Sequence, residues 1–238
     1  TDKYYYNGKA IDCLANVRAI QRELKTLACT VIVPYTSETP RRRGLTNTSI
    51  EHDFLSQYLP KEIHFARLPF NHPLFIMFSS GTTGAPKCIT HGHGGTLLQH
   101  LKEHRLHCDV RADDRIFYFT TCGWMMWNWL VSALASDATL LLYDGSPFHP
   151  DGNTLWDFTT DNRCNIFGTS AKYIDTLRVN GFRPRDTHDL SALKLITSTG
   201  SPLAHESFDY VYEAVKPDVH LASIAGGTDI ISCFVLGN

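Results

Sequence analysis

The sequence predicts an α/β fold in which repeated βα units build a largely parallel sheet, and three observations carry that prediction. Short apolar, strand-like runs recur at 115–120, 138–143, 165–168, 193–198 and 219–225. Helix-length segments separate them near 124–136, 153–162, 170–180 and 203–215. Strands that alternate with helices in this way form βαβ units. The third observation is that the glycine- and hydroxyl-rich segments fall in the loops after apolar runs, where parallel sheets place their ligands.

In chain order, the first expected element is a helix, because Ile11, Leu14, Val17, Ile20 and Leu24 recur at helical spacing. A β-branched run at 27–33 follows and stops at Pro34. From 37 to 69 the chain turns polar and irregular, with Pro40, Gly44, Pro60 and Pro69, and reads as a long surface excursion. Residues 1–70 are therefore expected to be peripheral, and 71–238 to form the α/β core. That core opens with a short buried strand at 74–78, a Gly/Thr/Ser loop, and a helix carrying Leu97, Leu98 and Leu101.

With 43% apolar and 19% charged residues, the composition is that of an ordinary globular protein. A net charge of −2 argues against a nucleic-acid footprint, and the run Arg41-Arg42-Arg43 reads as a solvated loop. The longest apolar stretch, 129–143, is broken by Ser132, Ser136 and Asp137, so no membrane span is expected. The opening Thr1-Asp2-Lys3-Tyr4-Tyr5-Tyr6 has neither a basic nor an apolar leader region, which makes the cytosol the expected compartment. Seven scattered cysteines with no C-x-x-C pair fit reduced, mostly buried thiols. Nothing in the sequence speaks to an oligomeric state.

The strongest chemical signal is Ser79-Ser80-Gly81-Thr82-Thr83-Gly84-Ala85-Pro86-Lys87. Its glycines let the backbone turn N–H groups inward, and hydroxyls and an ammonium add donors, which makes a concave site suited to polyphosphate. It is not a Walker A loop, since Cys88 follows Lys87 and the glycine spacing differs. Two further loops follow, Ser198-Thr199-Gly200-Ser201-Pro202 and Ala225-Gly226-Gly227-Thr228-Asp229.

In this order the three loops resemble the signatures of the adenylate-forming superfamily, which includes acyl-CoA synthetases, luciferases and peptide-synthetase adenylation domains. The chain would then be part of the large N-terminal domain of such an enzyme. Within the superfamily it is closer still to the acetoacetate-activating subgroup. That resemblance runs through Phe75-Ile76-Met77-Phe78, through Cys122-Gly123-Trp124-Met125-Met126-Trp127-Asn128-Trp129, and through Leu142-Tyr143-Asp144-Gly145-Ser146-Pro147. It continues in Gly226-Gly227-Thr228-Asp229-Ile230-Ile231-Ser232. The resemblance implies that ATP and Mg2+ activate acetoacetate as an acyl-adenylate, from which coenzyme A takes the acyl group as a thioester.

On the same resemblance the 79–87 loop grips the β- and γ-phosphates, Gly200, Ser201 and Pro202 shape the adenine slot, and Thr228 donates to the α-phosphoryl oxygen. Asp229 supports the metal; most relatives carry the longer glutamate there. Where acetyl-CoA synthetases place bulky tryptophans ahead of the threonine, this chain has Ala225, Gly226 and Gly227, opening room for a four-carbon keto acid. Trp124, Met125 and Met126 would line the opposite wall. The family's ribose-binding aspartate, hinge and lysine-bearing C-terminal domain lie outside the 238 residues, so the chain is expected to hold half an active site.

Other readings carry less. His91, His93, His100, His104 and His107 suggest a metal cluster, but no Cys or carboxylate spacing completes a ligand set, and a polar helix face is expected instead. Trp124, Trp127 and Trp129 read as core and pocket wall rather than a base-stacking platform, and Asp113-Asp114 as a turn. The alternative function is a truncated, non-catalytic module that binds ATP or AMP and acts through protein partners. Unpaired strand edges and apolar faces in the isolated chain predict poor solubility.

Overall fold

The computed structural model describes residues 1–79 and 84–237. They form two compact units, Thr1–Ala66 with Asp144–Pro150, and Arg67–Tyr143 with Asp151–Asn238.

The first unit opens with an antiparallel hairpin, β1 (Lys3–Tyr6) and β2 (Lys9–Asp12). The expectation that a helix comes first is corrected here, and Ile11 lies in β2. The connecting Asn7-Gly8 has φ of 50° and 74°, the two positive values that a type I′ hairpin turn requires. Helix α1 (Leu14–Glu23) starts where the Asp12 carboxylate accepts from the Leu14 and Ala15 amides at 2.9 and 3.2 Å. Strands β3 (Thr30–Ile32) and β4 (Thr48–Ile50) pair in parallel, and the short helix α2 (Glu51–Leu55) follows. The excursion expected to be irregular thus contains a strand and a helix.

The second unit begins with a second antiparallel hairpin, β5 (Pro73–Ser79) and β6 (Lys87–Gly92). The expected buried strand at 74–78 is corrected on two counts. It pairs antiparallel outside the main sheet, and Ile76 and Phe78 are 66% and 65% exposed. An unbroken apolar run reads as buried on both faces, but β5 buries only the face of Phe75 and Met77, and that incompletely.

Helix α3 (His93–Lys102) runs on into a π-helical turn at Glu103–His107. Then come β7 (Arg115–Tyr118), α4 (Met125–Ser132), β8 (Thr139–Leu141), α5 (Thr154–Asp161), β9 (Ile166–Ser170) and α6 (Ala171–Val179). After these follow β10 (Leu195–Thr199), α7 (His205–Tyr210) and β11 (His220–Ser223). The hairpin β12 (Ala225–Gly227) and β13 (Ser232–Val235) closes the described chain.

Five strands form one parallel sheet in the order β11-β10-β9-β7-β8. From β7 the chain moves outward to β8 and then crosses back to β9. The order reverses there, as in doubly wound sheets, which bind ligands beyond the carboxyl ends of the strands near that point.

Strand alternation separates two apolar layers. On one face Ile116, Tyr118, Ile166 and Leu195 pack with Trp129, Leu130 and Ala133 of the α4 segment. On the other, Phe117 and Phe167 meet the α5 rings, with Phe117–Phe158 at 5.2 Å and Trp156 stacked on Phe167 at 4.9 Å. Residue 168 must be glycine because the Tyr118 ring lies where a Cβ would project. At the start of α6 the Ser170 hydroxyl caps the Tyr173 amide at 3.2 Å.

Candidate active site

The loops that follow β7, β10 and β11 converge at the carboxyl end of the sheet. After β10 the chain turns at Gly200, whose φ of 92° suits a residue without a Cβ. After β11 it enters β12, which approaches β13 so closely that a Cβ on Gly226 would collide with the Ser232 carbonyl and Cys233.

Two adjoining cavities result. The first, of about 420 Å³, is walled by Trp124, Met125, Met126 and Trp129, by residues 199–202, and by 223–228. Glu103, Ser232, Cys233 and Leu236 complete it. The second, of about 540 Å³, lies between β5 (75–79), the 122–125 segment, Asn128, Thr228 and Asp229. Trp124, Met125 and Thr228 border both.

Most sequence-predicted residues therefore come together. Trp124, Met125, Met126, Gly200, Ser201, Pro202, Gly226, Gly227 and Thr228 line the first cavity. Ser79 and Asp229 join Thr228 in the second. Gly84 and Lys87 line neither; Lys87 opens β6 directly across from Ser79. Ser80, Gly81, Thr82 and Thr83 lie outside the described residues.

Sequence reasoning missed what holds the 228–233 turn. His91 donates Nε2–H to the Thr228 carbonyl at 2.8 Å, and His100 donates Nε2–H to the Ile231 carbonyl at 2.7 Å. A carbonyl only accepts, so each ring carries its proton on Nε2. Ile231 sits at φ 49°, a strained value for a β-branched residue, while its side chain is buried. The Glu103 carboxylate, itself 1% exposed, accepts from the Trp129 indole at 2.9 Å, the Gln99 amide at 2.9 Å, the Cys233 amide at 3.2 Å and the Ser232 hydroxyl. Burial pushes its pKa up, but these hydrogen bonds outweigh burial and hold it below the ordinary glutamate value.

His100 and His104 are fully buried, and burial lowers both imidazole pKa values, that of His104 to about 3. The expectation of mostly buried thiols is also corrected. Cys29, Cys88 and Cys122 are exposed, and only Cys108 and Cys164 are buried, all seven being free. Among the described residues no group of three or more His, Cys, Asp or Glu gathers as a metal site, and no helix is long and apolar enough to cross a membrane.

Known proteins match this chain in sequence and fold. The acetoacetyl-coenzyme A synthetase of Rhizobium meliloti (strain 1021) is 60% identical over 238 residues, covering 100% of this chain and 36% of its own length. The acetoacetyl-CoA synthetase of Gallus gallus is 49% identical over 97% of this chain and 35% of its own length. The solved acetoacetyl-CoA synthetase from Streptomyces lividans superposes with a TM-score of 0.90 at 39% identity, over 99% of this chain and 36% of that one. The chain thus spans about a third of the length of these relatives. The profile described as AMP-binding enzyme matches residues 7–235, and the chain belongs to that family.

Proposed function

We propose that the chain carries the nucleotide- and acyl-binding core of an acid–thiol ligase that activates acetoacetate with ATP and passes the acyl group to coenzyme A. The observation that carries the reading is the pair of cavities sharing Trp124, Met125 and Thr228. An acyl chain in the first and a polyphosphate in the second would meet at Thr228. The identities to acetoacetyl-CoA synthetases add the choice of acid.

In the first step a carboxylate oxygen of acetoacetate attacks the α-phosphorus of ATP, and pyrophosphate leaves. No proton transfer is needed, so the protein's task is alignment and charge stabilisation. The Thr228 hydroxyl donates to the α-phosphoryl oxygen, and the 79–87 loop, with Ser79 at its base, holds the β- and γ-phosphates. Gly200, Ser201 and Pro202 admit the adenine by close backbone approach, and Gly227, where a Cβ would have room, leaves space for the acyl tail, while Gly226 lets β12 close on β13. In the second step the thiol of coenzyme A attacks the acyl carbon and AMP leaves.

Mg2+ suits the second cavity, because this ion commonly takes one or two carboxylates, the substrate phosphates and water. Asp229 supplies a carboxylate there, and the bound ion would neutralise phosphate charge. Free thiols fit a reducing cytosol.

ATP–pyrophosphate exchange with acetoacetate, acetate and butyrate tests the reading. Exchange that depends on acetoacetate is the expected result. A folded chain that binds ATP but exchanges with none of the acids is a nucleotide-binding module instead.

A further inference from the structure

Glu103 stands out in the first cavity because its charge has no counterpart there. None of its four hydrogen-bond partners, Trp129, Gln99, Ser232 and the Cys233 amide, is charged. All four act as donors to the carboxylate, and Gln99 gives its second proton to the Ser232 oxygen at 2.6 Å. A protonated Glu103 would bring a donor into a cluster that already supplies donors, so the geometry selects the anion. The neighbouring thiol responds to it: burial and the Glu103 charge push Cys233 up to about 12. Glu103, Trp129, Ser232 and Cys233 form one hydrogen-bonded corner of the cavity.

That corner shares its cavity with Gly227, where a Cβ would meet nothing nearer than the Asp229 carboxylate at 3.8 Å. The open space beside Gly227 would hold the acyl tail under the function proposed above, on which this inference rests. We propose that Glu103 is a specificity-determining residue whose fixed negative charge bars acids that carry a second carboxylate at the tail. Like charges brought together out of water cost heavily, whereas shape alone discriminates weakly between groups of equal size. Acetoacetate, malonamate and malonate put shape and charge to the test, since they differ only in a terminal methyl, amide or carboxylate oxygen. A cavity that sorts by size treats the three alike. One that sorts by charge accepts the first two and rejects the third.

Calorimetric titration of the protein with each acid, in the presence of a non-hydrolysable ATP analogue and Mg2+, separates these outcomes. Malonate is expected to bind at least tenfold more weakly than both neutral-tailed acids. In Glu103→Gln, which keeps size and removes charge, the malonate-to-malonamate ratio is expected to rise at least tenfold. Malonate binding as tightly as malonamate in the unaltered protein overturns the inference, whatever the variant does. So does a folded Glu103→Gln with an unchanged ratio, because a merely structural role would lower all three affinities together. No binding of acetoacetate at all would instead sink the acid assignment and the inference with it.

Discussion

The five-stranded sheet and the β12–β13 hairpin sit side by side in one unit, yet they are held by different physics. The sheet is fixed by apolar contact on both faces, with Phe117, Phe167 and Trp156 on one and Tyr118, Trp129 and Leu130 on the other. The hairpin has little such support. Phe234 and Val235 are exposed, and the 228–233 turn is pinned by His91, His100 and Glu103. Apolar burial is non-directional and tolerates small shifts, whereas a hydrogen bond fixes an atom to within tenths of an ångström. The scaffold uses the first, and the turn bearing Thr228 and Asp229 uses the second.

The contrast predicts substitutions that separate stability from chemistry. Trp156→Ala should have the largest effect, removing about 3–5 kcal/mol of stability in urea denaturation. Among the molecules still folded, the preference for acetoacetate over acetate should not change. Thr228→Ala should do the reverse, lowering pyrophosphate exchange about 10²- to 10³-fold while the melting temperature holds. Full exchange in that variant would remove Thr228 from the phosphate site.

Gly226→Ala should cost about 1–3 kcal/mol, because its Cβ meets the backbone of β13, while Gly227→Ala has room and should melt like the parent. Equal melting temperatures for the two would mean that β12 and β13 do not approach so closely.

The smallest effect per pH unit is a slope. Folding keeps His104 neutral down to about 3, while the unfolded chain takes up its proton near 6.5. Between those values the unfolded state binds the extra proton, so this contribution is whole above pH 6.5 and is lost as pH falls. Relative to His104→Phe, the parent should lose about 1.4 kcal/mol more for each pH unit within that window. Parallel stability curves for the two proteins would refute a buried neutral imidazole.

The same contrast explains what was legible in the sequence. The run at 115–120 announced β7 because a strand buried on both faces needs an unbroken apolar run, here Ile116 to Phe119, and Leu195-Ile196 marked β10 more briefly. The Gly200 and Thr228 loops were legible because glycine and hydroxyl residues recur there in a fixed order, and the structure brings both loops to one cavity. Glu103 left no such mark. Its partners Ser232 and Cys233 lie 129 and 130 residues away, and inside a helical stretch it reads as one more solvated charge. His91 and His100 were visible only as members of a metal cluster, since the carbonyls they hold are equally remote. The β1–β2 hairpin was missed for another reason: its Asn7-Gly8 turn is a strong local signal, but the helical spacing that begins at Ile11 masked it.

The wall shared by the two cavities limits how the protein could be re-engineered. Any change at Trp124, Met125 or Thr228 touches both cavities at once, so under the proposed function broadening the range of acids there risks turnover. Leu236 and Met126 border only the first cavity. A library confined to those two positions would vary acid choice while leaving the nucleotide side as it is, and that is where directed evolution of this site should begin.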